Sequence, residues 1–456
     1  MRSFDVVVIG AGPAGEVAAG RLADAGLEVA IIEDRLVGGE CSFWACMPSK
    51  SLLRPAEVLA EVARIPGAAE AVTGTLHVQA VLDRRDEVIH DLDDSVQLPW
   101  IEDRGIALFR GRGRVVGERR VRVGDEEIEA RRAVMLAGGT LPALPPIPGL
   151  DSFEPWTNRD ATTTKRIPER LVIVGGGLVG SELSQAFQSL GANVTLVEGE
   201  RRLLPREEEF ACAQVTEALE GHGVDIRTGQ KAARFERRDD GTITVEMGDG
   251  STAVGDQVLV ALGRTPQTEQ LGLEDLGFPA GEYVETDENL SVPGHPWLYA
   301  IGDVNGRALF THMGKYQARV ACDHLLGKPS AAAHGADGPL SPRLIFTDPQ
   351  VGAVGHTTDT ARAAGLEVKV IDAPTSGNAG GSFYGRNAPG TARFLVDERR
   401  GVVVGATITG SEAVDFLHAA TIAVVGEVPL ERLRHAVPAF PTRSEIWLKL
   451  LEGAGL

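Results

Sequence analysis

Apolar and polar positions along this chain fall into strand-like and helix-like runs that repeat one plan twice. Phe4-Asp5-Val6-Val7-Val8-Ile9 is a β-branched run that stops at Gly10. An Ala-rich stretch at helical spacing follows to about Ala25, and Val29-Ala30-Ile31-Ile32-Glu33 completes a βαβ unit. The plan recurs from Arg170 to Glu198, with strand Leu171–Val174, glycines, a helix, and strand Val194–Glu198. That separation is too long for a solenoid and predicts two nucleotide-binding domains. Between them, residues 52–110 carry apolar residues at helical spacing, and residues 114–136 alternate like strands. The Pro-rich stretch from Leu141 to Gly149 cannot be helix and reads as a stiff connection. A loop-rich patch from Lys328 to Pro342 marks a second boundary. Beyond it, strands are expected around Arg343–Phe346, Glu367–Ile371, Ala392–Val396 and Val402–Ile408, alternating with helical segments as in an α+β domain.

Composition narrows the classes. A chain of 456 residues suits about three domains, and 43% hydrophobic content with mixed charge makes it globular. Lys and Arg total 45 against 64 for Asp and Glu, a formal charge of -19, which argues against nucleic acid or an anionic membrane as the main partner. Four cysteines in a chain this long form no disulfide framework and point to a reducing, cytoplasmic compartment. The opening MRSFDVVVIGAGPAG is interrupted by Asp5 and runs into glycines, unlike a signal peptide. No apolar stretch approaches the ~20 residues of a membrane span.

The chemistry begins at Gly10-Ala11-Gly12-Pro13-Ala14-Gly15, a G-x-G-x-x-G between strand and helix. Gly10 permits the tight turn, Gly12 lets a pyrophosphate approach, and Gly15 allows close helix–strand packing. The helix N-terminus offers free N–H groups to phosphate oxygens, and Glu33 can accept from a ribose diol. Gly175, Gly177, Gly180 and Glu198 repeat this arrangement. A carboxylate at Glu198 repels the 2′-phosphate of NADP and favours NAD, although Arg201 and Arg202 stand close behind. Cys41 and Cys46 follow the first fingerprint, and Pro48 suits a first helical turn, so Cys46 is expected near a helix N-terminus where thiolate is favoured. Cys212 and Cys322, among apolar neighbours, read as core. The ten histidines offer no metal-ligand pair.

Taken together, these motifs resemble the pyridine nucleotide-disulfide oxidoreductases, the flavoproteins that include dihydrolipoamide dehydrogenase, glutathione reductase and mercuric reductase. The likeness spans the whole chain and includes Ala137-Gly138-Gly139-Thr140, Val260-Ala261-Leu262-Gly263-Arg264-Thr265-Pro266 and Tyr299-Ala300-Ile301-Gly302-Asp303. It implies an α/β fold of two Rossmann-like domains plus an α+β dimerisation domain. FAD would bind within 1–150 and 276–336, the pyridine nucleotide within 151–275, and a homodimer would form through 337–456. It also implies FAD contacts at Gly39, Lys50, Gly113, Gly138, Asp303 and Thr311 and a nucleotide contact at Gly263, with Asp303 on the ribityl chain. NAD(H) is preferred to NADP(H). Electrons would pass from nicotinamide to flavin to the Cys41–Cys46 disulfide, with Cys46 nearest the flavin and Cys41 exchanging with the acceptor. Lys50 and Glu182 match a pair near the flavin ring, or form an ordinary ion pair.

The chain departs from that pattern at its end. Relatives carry His-Pro-Thr-x-x-Glu from the other subunit, the histidine taking and returning the proton of the exchanging thiol. Here the residues are Phe440-Pro441-Thr442-Arg443-Ser444-Glu445. Glu445 is kept, but phenylalanine carries no proton, and general base catalysis typically contributes ~10²–10⁴-fold. His435 stands nearby, more simply read as a surface residue. Mercuric reductases also lack this histidine, but Glu452 to Leu456 holds no second cysteine pair. Glu40 replaces a threonine, and Leu178 replaces a frequent gating tyrosine. Phe43, Trp44 and Phe440 are core filling or the walls of an apolar mouth for a flat acceptor. The expectation is an FAD-dependent NAD(P)H oxidoreductase with a redox-active Cys41–Cys46 pair and an unidentified small-molecule acceptor. Two alternatives stand beside it: a diaphorase or quinone reductase with bystander cysteines, and a flavin-binding redox sensor with little turnover.

Overall fold

The computed structural model describes residues 1–329, 336–386 and 388–456. The loop expected between Lys328 and Pro342 lies partly outside the described residues. Two compact units emerge, one of residues 1–48, 85–143 and 263–338, the other of 49–84, 144–262 and 339–456.

In the first unit, β1 (Arg2–Ile9), α1 (Pro13–Asp24) and β2 (Val29–Glu33) form the expected βαβ unit, β1 and β2 pairing in parallel. The sheet runs Ser291–Val292, His295–Ala300, Glu126–Leu136, β1, β2 and Ala107–Arg110, with Gly113–Gly117 and Arg120–Val123 added to Glu126–Leu136 as a side ribbon. Val6, Val7 and Val8 are fully buried, which explains why β1 is apolar at successive positions rather than at alternate ones. The strand Ala107–Arg110, which pairs with β2, falls inside the stretch read as helical. Its sequence, Ala-Leu-Phe-Arg, is too short for periodicity to separate strand from helix.

Within the second unit, a parallel sheet runs Asp225–Thr228, Asn193–Glu198, Arg170–Val174 and Gln257–Val260, flanked by the helix Leu178–Ser189. A three-stranded antiparallel sheet follows. The C-terminal five-stranded antiparallel sheet runs Arg343–Ile345, Gln350–Gly355, Val402–Gly410, Thr391–Asp397 and Val368–Pro374. Gln350–Gly355 was not anticipated. Its Gly and Ala residues have low β-propensity, and the position is fixed by packing, since a Cβ on Gly352 would stand 3.2 Å from the Ala413 carbonyl oxygen.

Candidate active site

The two glycine turns are built alike, and sterics separate the jobs of their glycines. A Cβ on Gly10 would lie 2.4 Å from the Ala137 carbonyl oxygen, and one on Gly15 would lie 1.9 Å from that of Gly10. Gly12 differs, since the nearest atom to its Cβ would be the α-carbon of Gly39, 4.0 Å away. Gly175 and Gly180 repeat the tight contacts, at 2.4 and 1.8 Å, while a Cβ on Gly177 would meet nothing within 4 Å. The outer glycines therefore lock strand to helix, and the middle ones leave an open cradle at a helix N-terminus. That cradle fits a diphosphate.

Each turn is braced by its acidic residue. Glu33 accepts from the amides of Ala11 and Arg35, both at 2.8 Å, and Glu198 accepts from Gly176 at 2.6 Å and Glu200 at 2.7 Å. Burial pushes the Glu33 carboxyl above its ordinary value, opposed by those amides. Each carboxylate so engaged keeps lone pairs for a ribose diol.

The cysteine pair hangs from the first turn. The Gly38 amide donates to the Ala11 carbonyl at 2.8 Å, and Gly39, at φ +60°, lies too close to Gly12 for any side chain. These contacts set α2 (Gly39–Phe43), which carries Cys41. Cys46 is the first residue of α3 (Cys46–Ala63), at the N-terminal end as expected. Its Sγ lies 3.4 Å from Oγ1 of Thr311, the first residue of the helix Thr311–Leu325. A hydrogen bond to Cys46 and then burial hold the proton on Cys41, while Thr311 and the Lys315 charge act the other way. Phe43 is buried, and Trp44 is half-buried against it.

Beside the pair is a polar cluster. The Thr140 hydroxyl donates to Asp303 at 3.0 Å, and Arg264 donates to Thr140 Oγ1 at 2.5 Å and to its carbonyl at 2.8 Å. Arg264 also lies 3.5 Å from Glu40 and 4.0 Å from Asp303, so one guanidinium serves two carboxylates. Burial pushes the Asp303 carboxyl up, against the pull of Arg264 and Thr140. Gln267 donates to the Gly138 carbonyl at 2.9 Å, and the Gly263 carbonyl accepts from Ala143 at 2.9 Å. Gly113 has a packing reason of its own, since its Cβ would stand 3.0 Å from Ile9.

In the second unit, Lys50 donates to Glu182 at 2.7 Å, the other oxygen of Glu182 accepts from the Phe346 amide at 2.9 Å, and Lys50 lies over the Phe346 ring. Glu182 is 2% exposed, so its charge is fully matched inside the protein. At the C-terminal segment Phe440 is 77% exposed. Glu445 stands before the last helix, and its Oε2 is buried without a hydrogen-bond partner among the described residues. His435 sits on an exposed turn. Cys212 and Cys322 are buried, and burial pushes their thiols up to about 11 and about 12, values of inert sulfur. Among the described residues there is no group of three or more His, Cys, Asp or Glu placed to hold a metal ion, and no helix long and apolar enough to cross a membrane.

Sequence reasoning passed over Thr140, Arg264, Glu16 and Lys315 as site residues. Arg264 had a signal, since it lies in the quoted Gly-Arg-Thr-Pro stretch, and a charged Glu40 beside a cysteine called for a partner. Glu16 and Lys315 had none.

Comparison with known proteins agrees with this geometry. Residues 4–323 match the family described as pyridine nucleotide-disulphide oxidoreductase, and residues 341–451 match its dimerisation domain. A dihydrolipoyl dehydrogenase of Haloferax volcanii is 32% identical, covering 99% of this chain and 96% of that protein. A mercuric reductase of Staphylococcus aureus is 30% identical, covering 97% and 81%. Among solved structures, the copper(II) complex of the HOCl-induced flavoprotein disulfide reductase RclA from Escherichia coli superposes with a TM-score of 0.86 at 25% identity, covering 99% of both chains.

Proposed function

Because the chain belongs to the pyridine nucleotide-disulphide oxidoreductase family, we propose that it carries electrons from NADH through FAD to a Cys41–Cys46 disulfide and on to a small acceptor other than a disulfide substrate. FAD, when bound, supplies the two-electron link between nicotinamide and disulfide. The residues proposed to hold it are Gly10, Gly12, Gly15, Glu33, Gly39, Lys50, Gly113, Gly138, Asp303 and Thr311, within 1–150 and 276–336. The nucleotide is assigned to 151–275, at Gly175, Gly177, Gly180, Glu198 and Gly263. NADH is preferred because the Glu198 carboxylate, which accepts from the Gly176 amide in the second glycine turn, would repel a 2′-phosphate.

The observation that carries the reading is the contact of Cys46 with Thr311 at the head of a helix, within the same unit as the first glycine cradle. In the balanced reaction, NADH and a proton convert the disulfide to two thiols, releasing NAD⁺. Cys41 and Cys46 then give the electron pair to the acceptor and re-form their disulfide, and the two thiol protons pass to the reduced acceptor or to solvent. With Phe440 in place of the proton-carrying histidine, and one buried oxygen of Glu445 without a hydrogen-bond partner among the described residues, exchange with a disulfide substrate lacks its proton handler. That favours acceptors needing no protonated leaving thiol, such as quinones or soft metal ions. The assembly is read as a homodimer through 337–456.

The same phenylalanine supports a second reading, quinone reduction directly at the flavin with the cysteines as bystanders. Cys41→Ser separates the two. A fall of about 10²-fold or more in NADH-dependent turnover with the best of lipoamide, oxidised glutathione, quinones and soft metal ions supports the dithiol route. Unchanged turnover with that acceptor contradicts it.

A further inference from the structure

Asp303, one of the residues proposed to hold FAD, stands on a short helical turn, Gly302–Asn305, that is braced from behind. Gly302 is buried at φ +74°, and a Cβ there would stand 3.1 Å from that of Ala14 on α1, so the turn is seated where only glycine fits. Its amide donates to Oε1 of Gln317 at 2.7 Å. Gln317 comes from the helix Thr311–Leu325 and is fully buried. The same Oε1 accepts from the Asn305 carboxamide at 2.9 Å, which also donates to the Ala300 carbonyl at 3.0 Å. The partners fix which way the Gln317 amide points. A backbone amide only donates and a carboxylate only accepts, so the oxygen faces Gly302 and the nitrogen faces Asp337, 3.3 Å away. Asp337 is paired with Arg307 at 2.8 Å, and the Arg307 amide donates to Asn305 Oδ1 at 3.0 Å. One buried carboxamide thus bonds both ends of the turn, with Asp303 between them.

We propose that Gln317 is a positioning residue for the flavin site: by accepting from Gly302 and Asn305 it fixes the turn that presents Asp303, and through Asp303 it sets how firmly FAD is held. The helix is shaped for this contact. Gly314, three residues before Gln317 and on the same face, brings the helix against the turn, since a Cβ on Gly314 would stand 3.3 Å from the α-carbon of Gly302. Without the Gln317 oxygen the Gly302 amide is left buried and unsatisfied, a loss worth roughly five- to 150-fold in an equilibrium constant. The inference rests on the reading that Asp303 contacts FAD, and the Asp303→Asn variant keeps a failure of that reading distinct from a failure of this one.

The test uses the flavin-loaded protein and two readouts other than turnover. FAD release on dilution is followed by the rise of flavin fluorescence for the parent, Gln317→Met, Asp303→Asn and the double variant. Amide hydrogen exchange is followed, by mass spectrometry, on the peptide that carries Gly302. Gln317→Met, of similar length but with no acceptor, is expected to release FAD about ten- to hundredfold faster and to lose protection on that peptide. The double variant should release FAD within about threefold of Asp303→Asn alone, because a residue that acts through Asp303 then has nothing left to act on, whereas a general loss of packing would add in full. If Gln317→Met holds no flavin, Gln317→Asn, shorter by one methylene, is measured in its place. Parental FAD release from Gln317→Met, faster release with parental protection, or full additivity in the double variant would overturn the role of Gln317. Parental release from Asp303→Asn would instead overturn the assignment of Asp303 to the cofactor, and this inference with it.

Discussion

Glu16 enters the first turn of α1, one residue after Gly15. Burial pushes its carboxyl up to about 7, Lys315 opposes this and Glu33 adds to it. A carboxyl raised on folding binds protons that the unfolded chain has released, so the folded state loses stability as pH rises from about 4.5 to about 7. Glu16→Gln removes that loss. Its thermal or denaturant stability relative to the parent should improve by about 1–3 kcal/mol between pH 4.5 and 8, and a pH-independent difference would contradict the assignment. Single residues were unevenly legible in the sequence. Phe440 stood out because a motif set an expectation that it broke, and the glycines because their spacing is the motif. Lys315 and Glu16 acquire meaning only when two helices cross at Ala14 and Gly314, which no local pattern reports.

At the scale of elements, both βαβ units were legible because their signals are local: apolar runs, turn glycines and a terminal acid. The strand Gln350–Gly355 was not, since it is held by neighbours on either side in the C-terminal sheet. The helix Ala413–Val425 buries Ala413, Leu417, Ala420, Ala423 and Val424, yet leaves Ile422 56% exposed and Val425 39% exposed. Phe383, Val437 and Phe440, from the same C-terminal region, are also exposed. Ile422 and Val425, three residues apart on one helix, share a face that fits an interaction surface. This supports the homodimer proposed for a region that matches a dimerisation domain. Gel filtration with light scattering should give twice the chain mass for the flavin-loaded protein, and Ile422→Lys should shift it toward monomer at micromolar concentration. A flavin-loaded parental monomer would contradict the assignment.

For the molecule as a whole, the proposed electron route is one that the sequence announces, and its destination is left to residues that depart from the family's pattern. In that proposal the two braced glycine cradles account for entry, and Cys41 on α2 with Cys46 at the head of α3 accounts for the relay. Phe440 and Glu40 are the departures from the family's pattern that bear on that relay. The central claim is that electrons from NADH come to rest on Cys41 and Cys46. Counting thiols in holoenzyme denatured after anaerobic treatment with excess NADH, beside an untreated sample, tests it most directly. Two additional thiols per chain are expected, mapped to Cys41 and Cys46 and absent from Cys41→Ser. A flavin fully bleached by NADH with no gain in thiols would contradict it.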